Sequence, residues 1–426
     1  MFSERYKSHH DASRDLKNKY TADIGGAEYL PSVLSGNAAS RRVIYLHVPF
    51  CNKICTFCPF HRPDELSRRE YHLYLINEMR KICGYRYTSA PIDAINFGGG
   101  TPTSLSPEQM SAVLSELHRC FSIAPDAEIS VETSATELSD EMISALKEGG
   151  VNRLSVGIQS FDDEARKLLG RRGNGEFAAS RIAAAIRAGI RNTSVDLIYN
   201  YPGQTDAWLL RDIDTIAALD VAGVSIYSLM LHEKTPLRRK LTDAEKAAMS
   251  DINREKALFD IILDSLAPHG YRLLELTKLV KDGRDRYDYM EIRHSGGSCI
   301  ALGHGAGGNI ENYFYHNSHA APDISDELRI CSRGRVLLPE YRVLDSLVYA
   351  LQKGSANLRP FSEKLGIDLR VLFEEKLAAF ADAGFLTAEG DTVTLTRDGV
   401  FYGNNIISAL IGMVADSRKI RKDVTV

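Results

Sequence analysis

Short apolar runs of strand length recur from Val43 onward, each followed by a longer stretch patterned as a helix. The runs are Val43–Val48, Ile92–Phe97, Ile129–Glu132, Arg153–Ile158, Ser194–Tyr199 and Gly223–Ser228. Helix boundaries are written between them. Ser106-Pro107-Glu108-Gln109 offers an N-cap, a proline at the first helical position and a capping-box glutamine. Thr242-Asp243-Ala244-Glu245 is a second capping box and opens a helix expected to run to Gly270. Gly149-Gly150 closes another helix where a left-handed residue is wanted. Six strand–helix repeats predict an all-parallel sheet with helices outside, because parallel neighbours need right-handed crossovers. The expected fold class is α/β, a partial (β/α)6 TIM-like barrel with ligands at the carboxyl ends of its strands. A closed barrel would need two more units.

Four regions follow from this pattern. Residues 1–40 are mostly polar, broken by Gly25-Gly26 and Gly36, and read as an N-terminal extension. Residues 41–240 form the partial barrel, and 241–336 complete it and cover the substrate. Residues 337–426 form a C-terminal helical domain. There, helices around Glu340–Lys353 and Leu369–Ala383 precede Gly384–Thr396, a hairpin turning at Gly390-Asp391. Helices followed by a hairpin resemble a winged helix. The segment lacks a basic recognition face, so a packing or substrate-covering role is expected.

Composition narrows the function classes. The 426 residues are 44% hydrophobic, enough for a sizeable core. A formal net charge of −4 argues against a nucleic-acid partner. No apolar run approaches the ~20 residues of a membrane span, and the polar start, Met1 to His10, lacks the apolar stretch of a secretion signal. Of the seven cysteines, Cys83, Cys120, Cys299 and Cys331 are scattered without a disulfide-like framework, which suits a reducing compartment. A soluble cytoplasmic protein is expected.

The other three cysteines carry the chemistry. Cys51, Cys55 and Cys58 lie directly after the first strand with C-x3-C-x2-C spacing. Three thiolates in one loop can hold three corners of a cubane iron–sulfur cluster and leave the fourth iron open to a small molecule. A structural zinc or an electron-transfer cluster wants a fourth protein ligand. Buried core cysteines are one alternative, and a zinc site completed by His47 or His61 is another. The first leaves the crowding of three cysteines beside Asn52 and Lys53 unexplained. The second usually shows paired cysteine elements, and no second pair follows.

Polar and glycine-rich positions cluster on the same rim. Phe97-Gly98-Gly99-Gly100-Thr101-Pro102 follows the second strand, and its glycines let backbone N–H groups approach a ligand. Glu132 ends the third strand, Gln159 follows the fourth, and Asp196 lies in the fifth. Such groups are costly on apolar strands unless paired, so three at equivalent positions suggest a shared ligand site. Arg171 could clamp a carboxylate or remain a solvated charge.

The order C-x3-C-x2-C, G-G-G-T-P, V-E-T, G-I-Q-S-F and D-L-I-Y-x-x-P-G-Q-T resembles radical S-adenosylmethionine (SAM) enzymes of the HemN-like group. The resemblance is strong over residues 43–240 and loose elsewhere. It implies that Cys51, Cys55 and Cys58 ligate a 4Fe-4S cluster whose open iron is chelated by SAM. It also implies that Tyr45, Gly99 and Glu132 hold that SAM and that the backbone of Phe57 contacts a cofactor. Gly100, Thr101, Gln159, Arg171 and Asp196 match positions for a second SAM, giving two per active site. An electron donor such as flavodoxin or ferredoxin is implied as a partner. One electron would split SAM into methionine and a 5′-deoxyadenosyl radical, sheltered under a covered barrel mouth.

Departures from the group point to a substrate. Coproporphyrinogen dehydrogenases carry a further cysteine two positions after the third ligand, where this chain has Phe60. The Asn…Tyr-Trp segment of haem chaperones is poorly matched by Tyr287–His294, and the single tryptophan, Trp208, lies elsewhere. Leu302-Gly-His-Gly-Ala-Gly-Gly-Asn309 instead resembles the G-x-G-A-G-G stretch of haem-utilisation proteins of the HutW/ChuW type, related to anaerobilin synthase. The expected substrate is haem or another tetrapyrrole. The expected reaction is radical methyl transfer with ring opening, in which the second SAM gives the carbon. A chaperone would instead use His304, His316 or His319 as axial haem ligands. Tyr227, Cys299 or Tyr313 could quench a final radical.

Overall fold

The protein is described by a computed structural model over residues 2–8, 16, 19–24, 29–60, 68–281, 283–318 and 331–417. Its main sheet has thirteen strands. In chain order they are β1 (Thr21–Ile24), β2 (Arg42–Val48), β3 (Ile92–Gly99), β4 (Ile123–Thr133), β5 (Arg153–Gln159), β6 (Asn192–Tyr199) and β7 (Gly223–Ser228). They continue as β8 (Tyr271–Glu275), β9 (Lys278–Lys281), β10 (Ser298–Leu302), β11 (Gly307–Ile310), β12 (Tyr313–Asn317) and β13 (Cys331–Leu337). The spatial order is β1-β13-β12-β11-β10-β2-β3-β4-β5-β6-β7-β9-β8.

All six expected strands form, as the parallel series β2 to β7. A seventh, β10, joins them parallel to β2. The sheet is not all-parallel as expected. β11, β12, β13 and β1 extend one edge antiparallel, and β9 and β8 extend the other. Chain length explains part of this. The links β8–β9, β10–β11 and β11–β12 are a few residues each, too short for the crossover that a parallel partner requires. β1 and β8 are the two edges, so the sheet stays open.

Alternation along each strand separates two chemistries. Ile44, Leu46, Val48, Ile95, Phe97, Val131, Leu154, Val156 and Ile158 are buried together with the helical residues Leu75, Met79, Leu114 and Ile182 in one core. The intervening positions include Tyr45, Asn96, Glu132, Arg153, Ser155 and Asp196, and they line the opposite, interior face. The helices bury the apolar half of the sheet and leave its polar half for a ligand.

Both capping boxes close as expected. Ser106 and Gln109 open the helix Pro107–Cys120, and Thr242 and Glu245 open Asp243–Met249. The long helix expected up to Gly270 is broken. Asp251 accepts the Asn253 and Arg254 N–H groups and caps a new helix, Ile252–Leu266. Gly270 then adopts φ +83° after a short 3-10 turn, and Gly150 takes φ +82° at the end of its own helix.

The C-terminal region holds a second sheet, β14 (Ser355–Asn357), β15 (Leu386–Glu389) and β16 (Thr392–Leu395), in the order β14-β16-β15. The expected hairpin is β15–β16, with Gly390 at φ +58° in its turn. β14 and the buried final helix Gly403–Ser417 were not anticipated.

Part of the polar N-terminal extension is structural. Leu30 and Leu34 are buried, and β1 pairs with β13. Arg5 meets Glu255 at 2.5 Å and the Tyr199 hydroxyl at 2.9 Å, while Phe2 stacks on Phe385 at 5.8 Å. Gly25, Gly26, His61 and His319 lie outside the described residues. Among the described residues no helix is long and apolar enough to cross a membrane.

Candidate functional site: a three-cysteine rim above a polar interior

The cysteine loop leaves the carboxyl end of β2 and is held by three neighbouring rim segments. Gly100 N–H donates to Val48 O at 2.8 Å, and Thr101 N–H to Phe50 O at 2.7 Å. A Cβ on Gly100 would stand 2.5 Å from Phe50 O, so only glycine lets these backbones meet. On the other side, Thr56 donates its N–H to Leu169 O (3.1 Å) and its hydroxyl to Leu168 O (2.7 Å). Leu237 N–H donates to Thr56 O at 2.9 Å.

Cys51, Cys55 and Cys58 are half-buried and form no disulfide. Cys51 Sγ lies 3.4 Å from Thr101 Oγ1. Burial pushes the Cys58 thiol up, reinforced by Cys55 and Cys51, while the Phe60 N–H and Arg171 pull it down. Arg171 is half-buried rather than a solvated charge, and among the described residues it pairs with no carboxylate. Its Nη1 donates to Cys55 Sγ at 2.9 Å, its Nη2 donates to Gly157 O, and its Nε is buried without a partner. Beside it, Gln159 sits at φ +67° on a bulge between β5 and β6. A left-handed non-glycine residue is uncommon and re-aims its side chain relative to the strand.

Below this rim the interior face brings Tyr45, Glu132 and Asp196 into one neighbourhood. A Cβ on Gly98 would stand 2.7 Å from Glu132 Oε1 and 3.0 Å from the Tyr45 ring, so that glycine lets the two side chains converge. Asn96 Nδ2 donates to Glu132 Oε1 at 3.2 Å, and the Tyr45 hydroxyl lies 2.9 Å from His47 Nδ1. Burial pushes the Glu132 carboxyl up to about 7. The Asn96 hydrogen bond opposes this and the nearby Asp196 charge adds to it. Asp196 accepts from the Ser155 hydroxyl at 3.2 Å. Gly99, at φ +111°, faces the His47 ring.

The remaining sequence candidates scatter. Phe57 packs against the apolar cluster of Leu169, Ile198 and Leu237. Phe60 is 70% exposed. His304 is buried, edge-on to Tyr74 at 4.7 Å. Cys299 is buried against the Tyr289 hydroxyl, 3.9 Å away, and Tyr313 stacks on Tyr315 in the core. Sequence reading passed over Asn96 and Ser155. Each lies opposite a chosen residue on the neighbouring strand, Tyr45 for Asn96 and Glu132 for Ser155, so strand register is the signal that finds them.

The donor set fits an iron–sulfur cubane with a small anionic ligand. Three thiols share one loop, a cation stands at one of them, and the orphaned Arg171 Nε points to a missing acceptor. Among the described residues no three His, Cys, Asp or Glu side chains converge as one mononuclear ion requires. A cubane spreads its ligands over separate irons.

Residues 45–216 match the Radical SAM superfamily model. The chain carries a radical SAM domain. The chain has the fold of coproporphyrinogen III oxidase (HemN) from Escherichia coli. The TM-score is 0.78, over 92% of this chain and 95% of that one, at 21% identity. Along most of its length it is similar to anaerobilin synthase of Escherichia coli O157:H7, 28% identical over 87% of this chain and 84% of that protein. It is equally similar to the heme chaperone HemW of Bacillus subtilis (strain 168), 29% identical over 86% of this chain and 98% of that protein. A radical SAM domain implies a 4Fe-4S cluster and SAM as cofactors.

Proposed function

We propose that this radical SAM protein opens haem by radical methyl transfer, with two SAM molecules per active site and an electron from a flavodoxin- or ferredoxin-type donor. The observation that carries this reading is Arg171, which bridges Cys55 and Gly157 beside Gln159 while its buried Nε lacks an acceptor. A guanidinium so placed suits the carboxylate of a bound amino acid. Similarity to anaerobilin synthase over most of the chain, Phe60 in place of a fourth nearby cysteine, and the glycines from Gly303 to Gly308 support the tetrapyrrole.

Cys51, Cys55 and Cys58 would hold the cluster, and Tyr45, Gly99, Glu132 and the Phe57 backbone the SAM upon it. Gly100, Thr101, Gln159, Arg171 and Asp196 would hold the second SAM. When bound, these cofactors supply one-electron cleavage of a sulfonium and a transferable methyl group. The chain itself orients and shelters. Arg171 fixes a carboxylate near the cysteine loop, and Glu132 and Asp196 offer acceptors to ligand hydroxyl or ammonium groups. The polar interior keeps these groups oriented before a ligand arrives.

Anaerobically reconstituted protein given SAM, dithionite and haem should yield a methylated linear tetrapyrrole and free iron, read by mass spectrometry. Unchanged haem with SAM cleaved on another substrate rejects the reading. Release of carbon dioxide from coproporphyrinogen would favour a dehydrogenase. The comparable similarity to HemW supports a second reading, a haem-binding chaperone, which requires stable haem binding without product.

A further inference from the structure

The interior cavity, about 490 Å³, runs from Tyr45, Asn96 and Glu132 to a second wall that the reading above leaves without a role. That wall is helix Asp288–His294 with the start of helix Pro339–Gln352, and it presents Arg293, His294, Tyr341 and Arg342. Arg342 is occupied, donating to Gly296 O at 3.1 Å and to Glu311 O, with Glu311 Oε2 4.0 Å away. His294 Nδ1 lies 3.1 Å from Asp345 Oδ2. Arg293 is different. Its Nη1 donates to the Tyr289 hydroxyl at 3.0 Å, and its guanidinium lies 5.4 Å from that ring. A guanidinium carries five N–H donors; the Asp345 carboxylate on the same cavity wall acts on this one through its charge, but among the described residues no carboxylate lies within 4.0 Å of it to take those donors. A cation with donors to spare, half-buried in a cavity, suits an anion brought by the ligand, and the planar fork selects a carboxylate.

The wall is also held in place before any ligand arrives. Glu128 accepts the Asp288 and Tyr289 N–H groups at 3.3 Å each, fixing the start of the helix. Just before it, Asp285 is gripped by Arg153 (3.0 and 3.1 Å), by Lys278 (3.1 Å) and by the Ser194 hydroxyl (2.6 Å). Such a supporting shell is what a binding residue needs to keep one geometry.

We propose that Arg293 anchors a carboxylate arm of the substrate at this wall of the cavity, so that the ring it carries faces the SAM held at the opposite wall by Tyr45 and Glu132. The inference rests on the tetrapyrrole reading, because haem carries two propionate arms.

The test titrates haem and haem dimethyl ester into the reconstituted wild-type protein, and into Arg293→Gln and Arg293→Lys variants, following the Soret band and SAM affinity together. The wild type should bind haem at least about tenfold more tightly than the diester, the worth of one charge-assisted contact. Arg293→Gln should erase that gap with SAM affinity unchanged, and Arg293→Lys should keep part of it. Equal binding of acid and diester by the wild type overturns the assignment without any variant. A gap that persists in Arg293→Gln, or a parallel loss of SAM affinity, also overturns it. If neither tetrapyrrole binds while SAM is still cleaved, the tetrapyrrole reading itself fails.

Discussion

Glu132 is the residue whose environment conflicts most with its chemistry. Its carboxyl is raised from 4.5 to about 7, first by burial and then by Asp196, against the Asn96 hydrogen bond. The folded protein therefore holds this proton at a pH where the unfolded chain has lost it. Stability should fall as pH rises from about 4.5 to about 7 and level off above, by up to about 3 kcal/mol from this group. Glu78 and Asp212 are raised as well, to about 7 and about 6, so the wild-type slope is a sum. Comparing Glu132→Gln with the wild type isolates one contribution. Melting temperatures of cofactor-free protein across this range should converge at acidic pH and diverge towards neutrality, the variant being the more stable. Parallel profiles would contradict the account.

At the scale of elements, the network around Asp285 ties helix Asp288–His294 to the strands. Arg153 and Lys278 are both buried, so removing their shared carboxylate strips Lys278 of its ion-pair partner and leaves Arg153 only the more distant Glu128, 3.7 Å away. Asp285→Ala should cost about 3–5 kcal/mol, read from the urea midpoint, and a loss below 1 kcal/mol would show that the network relaxes freely. None of this was legible in the sequence. Asp285 meets Arg153 across 132 positions and Ser194 across 91, and no local pattern marks such pairs. The legible elements were those whose signals are local. The six apolar runs gave strands, and the Ser106 and Thr242 boxes gave helix starts. Asp251 also carried a local signal, but an expected long helix masked it. The same split applies to the site. The cysteine loop and Gly100 stood out by spacing, whereas Arg171 reaches Cys55 across 116 positions, and only the fold reveals its partner.

In the whole molecule, the N-terminal segment works as a strap. Arg5 joins Glu255 and Tyr199 of the barrel layer to Phe401 O near the C-terminus, and Phe2 adds contacts to Phe380 and Tyr402. Arg5→Ala should therefore speed hydrogen exchange in helices Arg397–Phe401 and Gly403–Ser417 while β2 to β5 stay protected. A uniform rise across the chain would instead mean that Arg5 supports global stability alone. The proposed chemistry rests on the rim that carries Cys51, Cys55 and Cys58. Electron paramagnetic resonance of the dithionite-reduced, iron-reconstituted protein, recorded before and after SAM is added, tests that centre most directly. The account predicts a reduced 4Fe-4S signal that shifts on SAM binding and disappears when Cys51, Cys55 or Cys58 is replaced by alanine. A signal that ignores SAM, or survives loss of any one of those cysteines, would contradict it.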